Sequence, residues 1–172
     1  RYAYDGSKFT AVDSISLSGY ANDAEDITCD PATGRLYVID GIGGVKNIVV
    51  LRYQGGFVLE NYFRLSVTAG STSGVPSDPE GIAFDAGSGH LFVISAPDKA
   101  IFEYTVAGVY IKKFSISGFS PAASQPQGLA IGPSSNNSQT MSFYIADGMV
   151  DNDSNPNERD GRIFEARINR AP

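Results

Sequence analysis

Two short apolar segments, separated by a polar turn, recur three times along the chain. Each copy has a small apolar triplet, then a polar turn that contains Gly, and then a continuous apolar run. The triplets and runs lie at residues 27–29 and 36–39, 82–84 and 91–94, and 129–131 and 143–146. A short apolar run between turn signals is typical of a β-strand, and an uninterrupted run suits burial on both faces.

The residues that precede each triplet also repeat. The repeated phrase begins at Asp23, Asp78 and Gln125, so the period is roughly 50 residues. Each period has room for two further strands, such as residues 48–53 and 57–65 in the first copy. A period of this length that is built from short strands is typical of β-propellers. We therefore predict an all-β fold, a β-propeller with four-stranded antiparallel blades.

The length of the chain corresponds to about 3.25 copies of this repeat, that is, about 3.25 blade equivalents. The prediction is a single β-propeller region over residues 1–172, which consists of a partial blade 1–22, blades 23–77 and 78–124, and a partial blade 125–172. Closed propellers have about four to eight blades, and an incomplete ring leaves strand edges unpaired. The chain is therefore expected to be a partial propeller or a fragment, whose edges are covered by further blades, another copy or a larger complex.

Composition narrows the function classes. The formal net charge is −6 and the sequence pI is about 4.6. Nucleic-acid binding needs clustered Lys and Arg, so this balance argues against it. No apolar run reaches the roughly 18 residues of a membrane span. An acidic surface suits an extracellular or cell-surface protein, with the periplasm as a further location.

The chain has one cysteine and one histidine. A single cysteine, Cys29, rules out a disulfide within the chain. It stands where Phe84 and Ile131 stand in the other triplets, so we expect a small buried residue and not a reactive thiol. The single histidine, His90, is expected to be exposed at a turn, and it argues against a Ser-His-Asp triad or a His-based metal site.

The loop over residues 147–161 is long, polar and acidic. Counted from Asp151, oxygen-bearing side chains fall at positions 1, 3, 5, 7 and 10, on Asp151, Asp153, Asn155, Asn157 and Asp160. Hard cations such as Ca²⁺ take six to eight oxygen ligands, so we predict a calcium site here. An EF-hand is rejected, because its sixth position is Pro156 instead of Gly and its twelfth is Arg162 instead of Glu. The alternative is a solvated loop, since Asn, Asp, Ser and Pro are ordinary turn formers.

A second set of polar residues recurs at the ends of the predicted strands. Its members precede the innermost strand or follow the second strand, and they are Glu25, Asp40, Glu80, Ser95, Gln127 and Asp147. In a propeller these positions approach the mouth of the axial channel. They could line that mouth for a ligand, or they could bind backbone amides of the next blade and set the blade spacing. Residues repeated in every blade usually serve the repeat, so we favour the second reading. If these residues set the blade spacing, Glu80→Gln is expected to destabilise the protein.

The repeated segments resemble a known group of proteins. Residues 78–85 and 89–95 look like extracellular bacterial propellers of the NHL and SdiA-regulated type, and esterase-like phytase domains share that appearance. Residues 144–165 are similar to a closing loop of such proteins. The resemblance implies a propeller fold. Phosphatase activity of the phytase kind would further imply metals and basic residues around the channel, for which Lys46, Lys99 and Arg159 are the candidates.

These observations lead to two functional hypotheses. The first is a non-enzymatic, calcium-stabilised propeller segment of a secreted or surface protein, which acts in binding or assembly. The alternative is a metal-dependent hydrolase of the phosphoesterase or lactonase kind, in which Glu80, Asp147 and Asp151 hold a catalytic Ca²⁺. A catalytic cation keeps an open position over the channel, whereas a structural cation is enclosed by its own loop.

Overall fold

A computed structural model describes residues 1–41, 46–65, 74–151, 153–155 and 159–168. In these ranges the chain is all β, with no helix and therefore none able to span a membrane. The strands are β1 (Tyr2–Tyr4), β2 (Phe9–Ala11), β3 (Ala24–Asp30), β4 (Arg35–Asp40), β5 (Asn47–Tyr53), β6 (Phe57–Arg64), β7 (Pro79–Asp85), β8 (His90–Ser95), β9 (Ala100–Thr105), β10 (Tyr110–Ser115), β11 (Gln125–Ser134), β12 (Asn137–Gly148) and β13 (Arg162–Arg167).

The strands form four antiparallel sheets, each in chain order. The first sheet is β1–β2, the second β3–β6, the third β7–β10 and the fourth β11–β13. Each sheet lies within one of the four predicted segments. Among the described residues, no strand pairs with the outer edge of β13. Successive meander sheets of this kind form a propeller-type arrangement.

The turns between the first two strands of each complete sheet are built by the repeated Asp and Gly. The carboxylate of Asp30 accepts a hydrogen bond from the Thr33 hydroxyl (2.6 Å), and the N–H of Gly34 donates to the Asp30 carbonyl (2.8 Å). Gly34 has a φ of 71°, which favours glycine. Asp85 and Gly89 repeat this backbone hydrogen bond and this φ. The local sequence therefore determines these turns.

Successive sheets pack face to face. We call the face that meets the preceding sheet the leading face, and the face that meets the following sheet the trailing face. Tyr37 and Ile39 on the trailing face of the second sheet pack with Ile82, Leu91 and Val93 on the leading face of the third. These side chains are fully or almost fully buried, as the continuous apolar runs predict.

The contact between the third and fourth sheets repeats this arrangement. Phe92 and Ile94 on the trailing face of the third sheet pack with Leu129, Phe143 and Ile145 on the leading face of the fourth. The rings of Phe92 and Phe143 meet edge to face, with centroids 4.9 Å apart. The repeat in sequence therefore corresponds to a repeat in packing.

The innermost strands also contact each other directly. The N–H of Ile82 in β7 donates to the Asp26 carboxylate in β3 (2.9 Å), and the N–H of Phe84 donates to the Thr28 hydroxyl (3.0 Å). In the third sheet, Gly81 stands where Asp26 stands in the second. The β11 backbone lies so close to it that a Cβ on Gly81 would be 2.4 Å from the Gln127 carbonyl oxygen. Side-chain hydrogen bonds join the first pair of inner strands, and close backbone approach joins the second.

The leading face of the second sheet is covered only in part. Residues 14–21 lie over its outer half, where Ile15 and Leu17 pack on Val38 and Leu51. The inner half remains exposed, and Cys29 lies there. The prediction that Cys29 is buried is therefore wrong. The physical reason is that no preceding sheet among the described residues packs on this half, whereas Phe84 at the equivalent position stacks on Tyr37 of the preceding sheet.

Candidate functional site

Each of the second, third and fourth sheets begins its innermost strand with a β-bulge at the same place. The register shifts lie between Ala24 and Asp26, between Pro79 and Gly81, and between Pro126 and Gly128. The extra residues are therefore Glu25, Glu80 and Gln127. A bulge bends its strand and re-aims a side chain, and bulges are frequent beside functional sites. The sequence identified these residues by their repetition but did not predict the bulges.

The bulges bring these three side chains into one row at the end of the stack. Glu80 hydrogen bonds with the Gln127 side chain of the next sheet, and the charge of Glu80 acts on Glu25 of the preceding sheet. Gly41 lies against this row, because a Cβ on it would be 2.8 Å from Cγ of Glu25. The structure therefore brings Glu25, Glu80 and Gln127 together, and we call them the mouth row.

The acids of the mouth row are electrostatically strained. Loss of hydration and then the charge of Asp23 raise the pKa of Glu25. Loss of hydration also raises the pKa of Glu80; the hydrogen bond from Gln127 lowers it in part, and the charge of Asp78 raises it further. Like charges that are crowded together favour the protonated form. The mouth row therefore opposes folding while its carboxylates are ionised.

The double substitution Glu25→Gln/Glu80→Gln is expected to increase the free energy of unfolding at neutral pH. An acid whose pKa is higher in the folded state binds more protons there, so stability falls as the pH rises through that pKa. The advantage of the variant should shrink as the pH falls towards 4.5, the ordinary value for Glu. Chemical denaturation over this pH range measures it. This expectation reverses the direction that the repeat alone gives for Glu80→Gln.

The control for this pH dependence is Glu60→Gln. The hydrogen bond from Arg35 is the main cause that lowers the pKa of Glu60, so its carboxylate stabilises the folded state. That contribution is present above the ordinary pKa and is lost as the pH falls through the lowered value. Glu60→Gln should therefore cost stability at neutral pH and little in acid. A mouth-row variant that loses stability at neutral pH would contradict the electrostatic account.

The residues that end the second strand of each sheet bind backbone amides. Asp40 accepts hydrogen bonds from the N–H groups of Asn22 (3.2 Å) and Asp23 (2.9 Å). The hydroxyl of Ser95 accepts from the N–H of Asp78 at 3.3 Å. These amides belong to the segment that leads into the first strand of the same sheet. The sequence analysis favoured binding to amides of the next blade, and this is corrected for Asp40 and Ser95. The bonded amides lie in the same sheet, because antiparallel pairing brings the start of the first strand beside the end of the second.

Asp147 makes the most extensive set of these bonds. It accepts from the N–H groups of Ser124 (3.0 Å) and Gln125 (2.6 Å) and from Nε of Arg162 (2.9 Å), and it is only 1% exposed. Burial by itself would raise the pKa of Asp147, but the bonds from Ser124, Arg162 and Gln125 outweigh it and lower the pKa. Arg162 also donates to the Ala122 carbonyl at 2.5 Å. Asp147 therefore acts within the fold and not as an open ligand.

The loop that follows Asp147 brings three carboxylates together. One oxygen from each of Asp151, Asp153 and Asp160 lies within 4.8 Å of the other two. The N–H of Asp153 donates to Asp151 at 3.3 Å, and the N–H of Asn155 donates to Asp153 at 2.7 Å. Asn157, which is also predicted as a ligand, lies outside the described residues. In the described part of the chain this is the one such group of at least three His, Cys, Asp or Glu side chains.

The predicted basic residues have local partners. Lys46 donates to the Gly41 carbonyl at 2.5 Å, and Lys99 donates to the Ser124 carbonyl, so both bind backbone beside the mouth row. Arg159 donates to the sulfur of Met149 at 3.4 Å. Each of the three therefore binds a neighbouring group of the chain, and the basic site that the phytase resemblance implies remains a prediction.

Sequence reasoning missed the environment of His90. Its Nδ1 lies 2.7 Å from the buried carboxylate of Glu103, and Lys112 lies 3.6 Å from the same carboxylate. His90 is therefore partly buried and not exposed as predicted. The signal that could have indicated it is Glu103 itself, the single charged residue of the largely apolar strand β9, since a buried charge needs a partner.

Comparison with known proteins gives similarity at the level of fold. No protein-family model matches the chain, and no curated protein matches it. Hydrazine synthase of Kuenenia stuttgartiensis has a TM-score of 0.49 and 16% identity over 79% of this chain and 33% of that chain. A nidogen–laminin complex has a TM-score of 0.49 and 20% identity over 76% and 41%. A periplasmic gluconolactonase of Pseudomonas aeruginosa has a TM-score of 0.47 and 15% identity over 87% and 43%.

The chain spans between 33% and 43% of the length of these three structures. At such identities and TM-scores the similarities assign no activity, ligand or partner to this chain. They also do not single out propellers of the NHL or SdiA-regulated type, so that finer assignment remains a prediction.

Proposed function

We propose that this chain is a calcium-stabilised β-propeller segment of a secreted or surface-associated protein and that it acts as a binding or assembly module. The observation that carries the proposal is the convergence of Asp151, Asp153 and Asp160 on one loop. The module's proposed partners are further blades, another copy or a larger complex.

The geometry of the three carboxylates suits a calcium ion. Each Ca²⁺–O distance is about 2.3–2.6 Å, so two oxygens that share the ion can be up to roughly 5 Å apart. The separation of at most 4.8 Å among Asp151, Asp153 and Asp160 fits this limit. Ca²⁺ needs further oxygens, and the Asn155 side chain and loop carbonyls are suited to supply them. The ion would offset the repulsion among three exposed acids.

The source of the ligands favours a structural ion. All three acids come from the β12–β13 loop, and the N–H of Gly161 closes that loop on the Val150 carbonyl at 3.0 Å. An ion held by a single closed loop ties together the two ends of that loop. Those ends continue directly into Asp147 and Arg162, which bind each other. Calcium would therefore stabilise the fourth sheet.

The hydrolase alternative requires Glu80, Asp147 and Asp151 to share one cation. Asp147 already accepts three hydrogen bonds and is buried. Replacing those bonds by a metal contact would leave two backbone N–H groups and a guanidinium without their acceptor, which is costly in a buried site. The geometry therefore supports the binding or assembly role better than catalysis.

Calcium is expected to raise the melting temperature of the wild-type chain, and Asp151→Ala/Asp153→Ala is expected to abolish this rise. A ligand at about 100 times its Kd adds about 2.7 kcal/mol to the stability of the folded state. For a domain of this size that corresponds to roughly 5–10 °C. Thermal unfolding in calcium and in chelator, for both chains, measures the effect.

The matched control is Asp23→Asn/Asp78→Asn, which removes two acids beside the mouth row. It should keep the full calcium response if the ion binds in the β12–β13 loop. A response that is lost in this control but kept in the loop variant would instead place the ion at the mouth and favour the hydrolase. Equal melting temperatures of the wild type in calcium and in chelator would reject a calcium site.

A further inference from the structure

A polar cleft lies between the second and third sheets, at the opposite end of the strands from the mouth row. It has a volume of about 510 Å³. Both walls belong to four-stranded sheets, so the cleft lies inside the stack and away from its end faces. The wall on the second sheet carries Arg35, Tyr37, Val50, Glu60 and Asn61, and the wall on the third sheet is the β9–β10 turn at Val106 and Ala107.

The β9–β10 turn is held firmly against the second sheet. A Cβ on Gly108 in this turn would lie 2.3 Å from Cδ2 of Phe63 in β6. The turn therefore packs directly on β6, and the cleft is a preformed space between two fixed walls. Its volume falls within the roughly 300–1,000 Å³ that is usual for small-ligand pockets.

Two arginines hold one carboxylate at this end of the second sheet. Nε of Arg35 donates to one oxygen of Glu60 (2.6 Å), and Nε of Arg52 lies 2.8 Å from the other. A guanidinium has five N–H donors, so the terminal nitrogens of Arg35 can still donate. The nearby Asp30 carboxylate is bound in its own turn by Thr33. Two guanidinium groups around one carboxylate leave a single positive charge, which suits a ligand with one carboxylate.

The corresponding position in the third sheet is filled by a carboxylate of the chain itself. Glu103 is the counterpart of Val50, since Glu103 pairs with Phe92 as Val50 pairs with Tyr37. Glu103 lies on the trailing face of its sheet and is only 6% exposed. The third sheet therefore buries a glutamate side chain at a place where the second sheet has a short apolar side chain and an open cleft.

The groups that surround this glutamate also have counterparts in the second sheet. Nδ1 of His90 lies 2.7 Å from the Glu103 carboxylate, and Nζ of Lys112 lies 3.6 Å from it. Arg35 has the register position of His90, since each pairs with the last residue of the first strand. Asn61 has that of Lys112, since each pairs with the third-strand position just described. The second sheet therefore keeps two hydrogen-bond donors around the cleft but lacks the carboxylate between them.

We propose that this cleft binds the carboxylate side chain of a glutamate from a partner protein, in the way that the third sheet binds Glu103. The partner's carboxylate accepts hydrogen bonds from the guanidinium of Arg35 and the amide of Asn61, and its aliphatic stem lies on Val50 and the β9–β10 turn. Hydrogen bonds between arginine and a carboxylate are among the strong ones. This inference rests on the proposed function, because it names the chemical group that the binding module recognises.

The test is an NMR titration of the ¹⁵N-labelled chain with N-acetyl-glutamate amide as the probe. The amide signals of Val50, Val106 and Ala107 should shift and saturate. N-acetyl-glutamine amide has the same shape without the charge and should shift none of them at the same concentrations. Arg35→Met should weaken binding about tenfold or more, since a hydrogen bond to a charged group is lost. Arg64→Met is the matched control, because Arg64 is exposed at the mouth end of the same sheet.

Three results of this titration would overturn the proposal. They are no saturable binding of the glutamate probe, equal binding of the glutamine probe, and an Arg35→Met variant that binds as the wild type does. Glucuronate, an acidic sugar, is titrated in parallel. If glucuronate saturates these signals and the glutamate probe does not, the ligand is a carbohydrate and the proposal is wrong.

A second measurement supplies the carboxylate from within the chain by Val50→Glu, with Val50→Gln as its neutral control. Val50→Glu should fold and no longer bind the glutamate probe. Adding Arg35→Met should cost more stability to Val50→Glu than to Val50→Gln, because only the carboxylate loses a charged partner. Equal costs would contradict the proposal. So would a Val50→Glu chain that fails to fold when Val50→Gln folds, since the cleft would then reject a carboxylate.

Failure of this contact is distinguishable from failure of the proposed function. The calcium response of the melting temperature is also measured on Arg35→Met, in which the β12–β13 loop is unchanged. A calcium response without binding of the glutamate probe removes only the proposed contact. Binding of the probe without a calcium response removes only the ion.

Discussion

Replacing Asp147 by alanine is expected to lower the free energy of unfolding by about 3–5 kcal/mol, the range for removal of one partner from a buried ion pair. The substitution leaves the N–H groups of Ser124 and Gln125 and the guanidinium of Arg162 without their acceptor. Each unsatisfied buried group costs about 1–3 kcal/mol. Urea denaturation monitored by circular dichroism measures the loss.

A double-mutant cycle separates the ion pair from the amide bonds. Arg162→Met should cost less than Asp147→Ala, because Asp147 keeps its two backbone donors. In Asp147→Ala/Arg162→Met the losses should be less than additive, since the two residues share one interaction. Asp40→Ala is the control: Asp40 binds two lead-in amides but has no arginine partner in the described structure. An Asp147→Ala loss no larger than that of Asp40→Ala would contradict the role of Arg162.

Gly81→Ala is the second large expected effect, a loss of about 1–3 kcal/mol from overpacking. Its Cβ would lie 2.4 Å from the Gln127 carbonyl oxygen and 3.0 Å from the Leu129 nitrogen. Both are backbone atoms of β11, so no flexible side chain can move aside. The third and fourth sheets would have to separate at their inner strands, and the core between them would loosen.

The matched control is Gly132→Ala, which also lies in an inner strand. A Cβ there would lie 3.4 Å from the nearest atom, on the Tyr144 ring, which is close to ordinary contact. The free energy of unfolding of this variant should lie within about 0.5 kcal/mol of the wild-type value, as is usual for substitutions without a specific clash. Equal losses for Gly81→Ala and Gly132→Ala would show that glycine content, and not close backbone approach, limits these strands. The denaturation midpoints of the two variants, compared at an unchanged denaturant m-value, decide between these explanations.

Much of the fold could be predicted because its signals are local. The apolar runs at 36–39 and 91–94 become the fully buried strands β4 and β8, and the Asp and Gly after each triplet form the same turn. The candidate calcium loop was also visible, because its Asp and Asn residues lie close together in sequence. Of its predicted ligands, Asp151, Asp153 and Asp160 converge.

The sequence by itself determined the repeat, the strands and the turns, since each depends on residues a few positions apart. Only the tertiary structure decided which sheet faces are covered, and therefore that Cys29 and Ile27 are exposed while Phe84 and Ile82 are not. It also decided that Asp147 binds Arg162 and the lead-in amides of its own sheet. These features depend on which sheet packs on which and where a bulge turns a side chain, and the local pattern is the same whether a neighbouring sheet is present or absent.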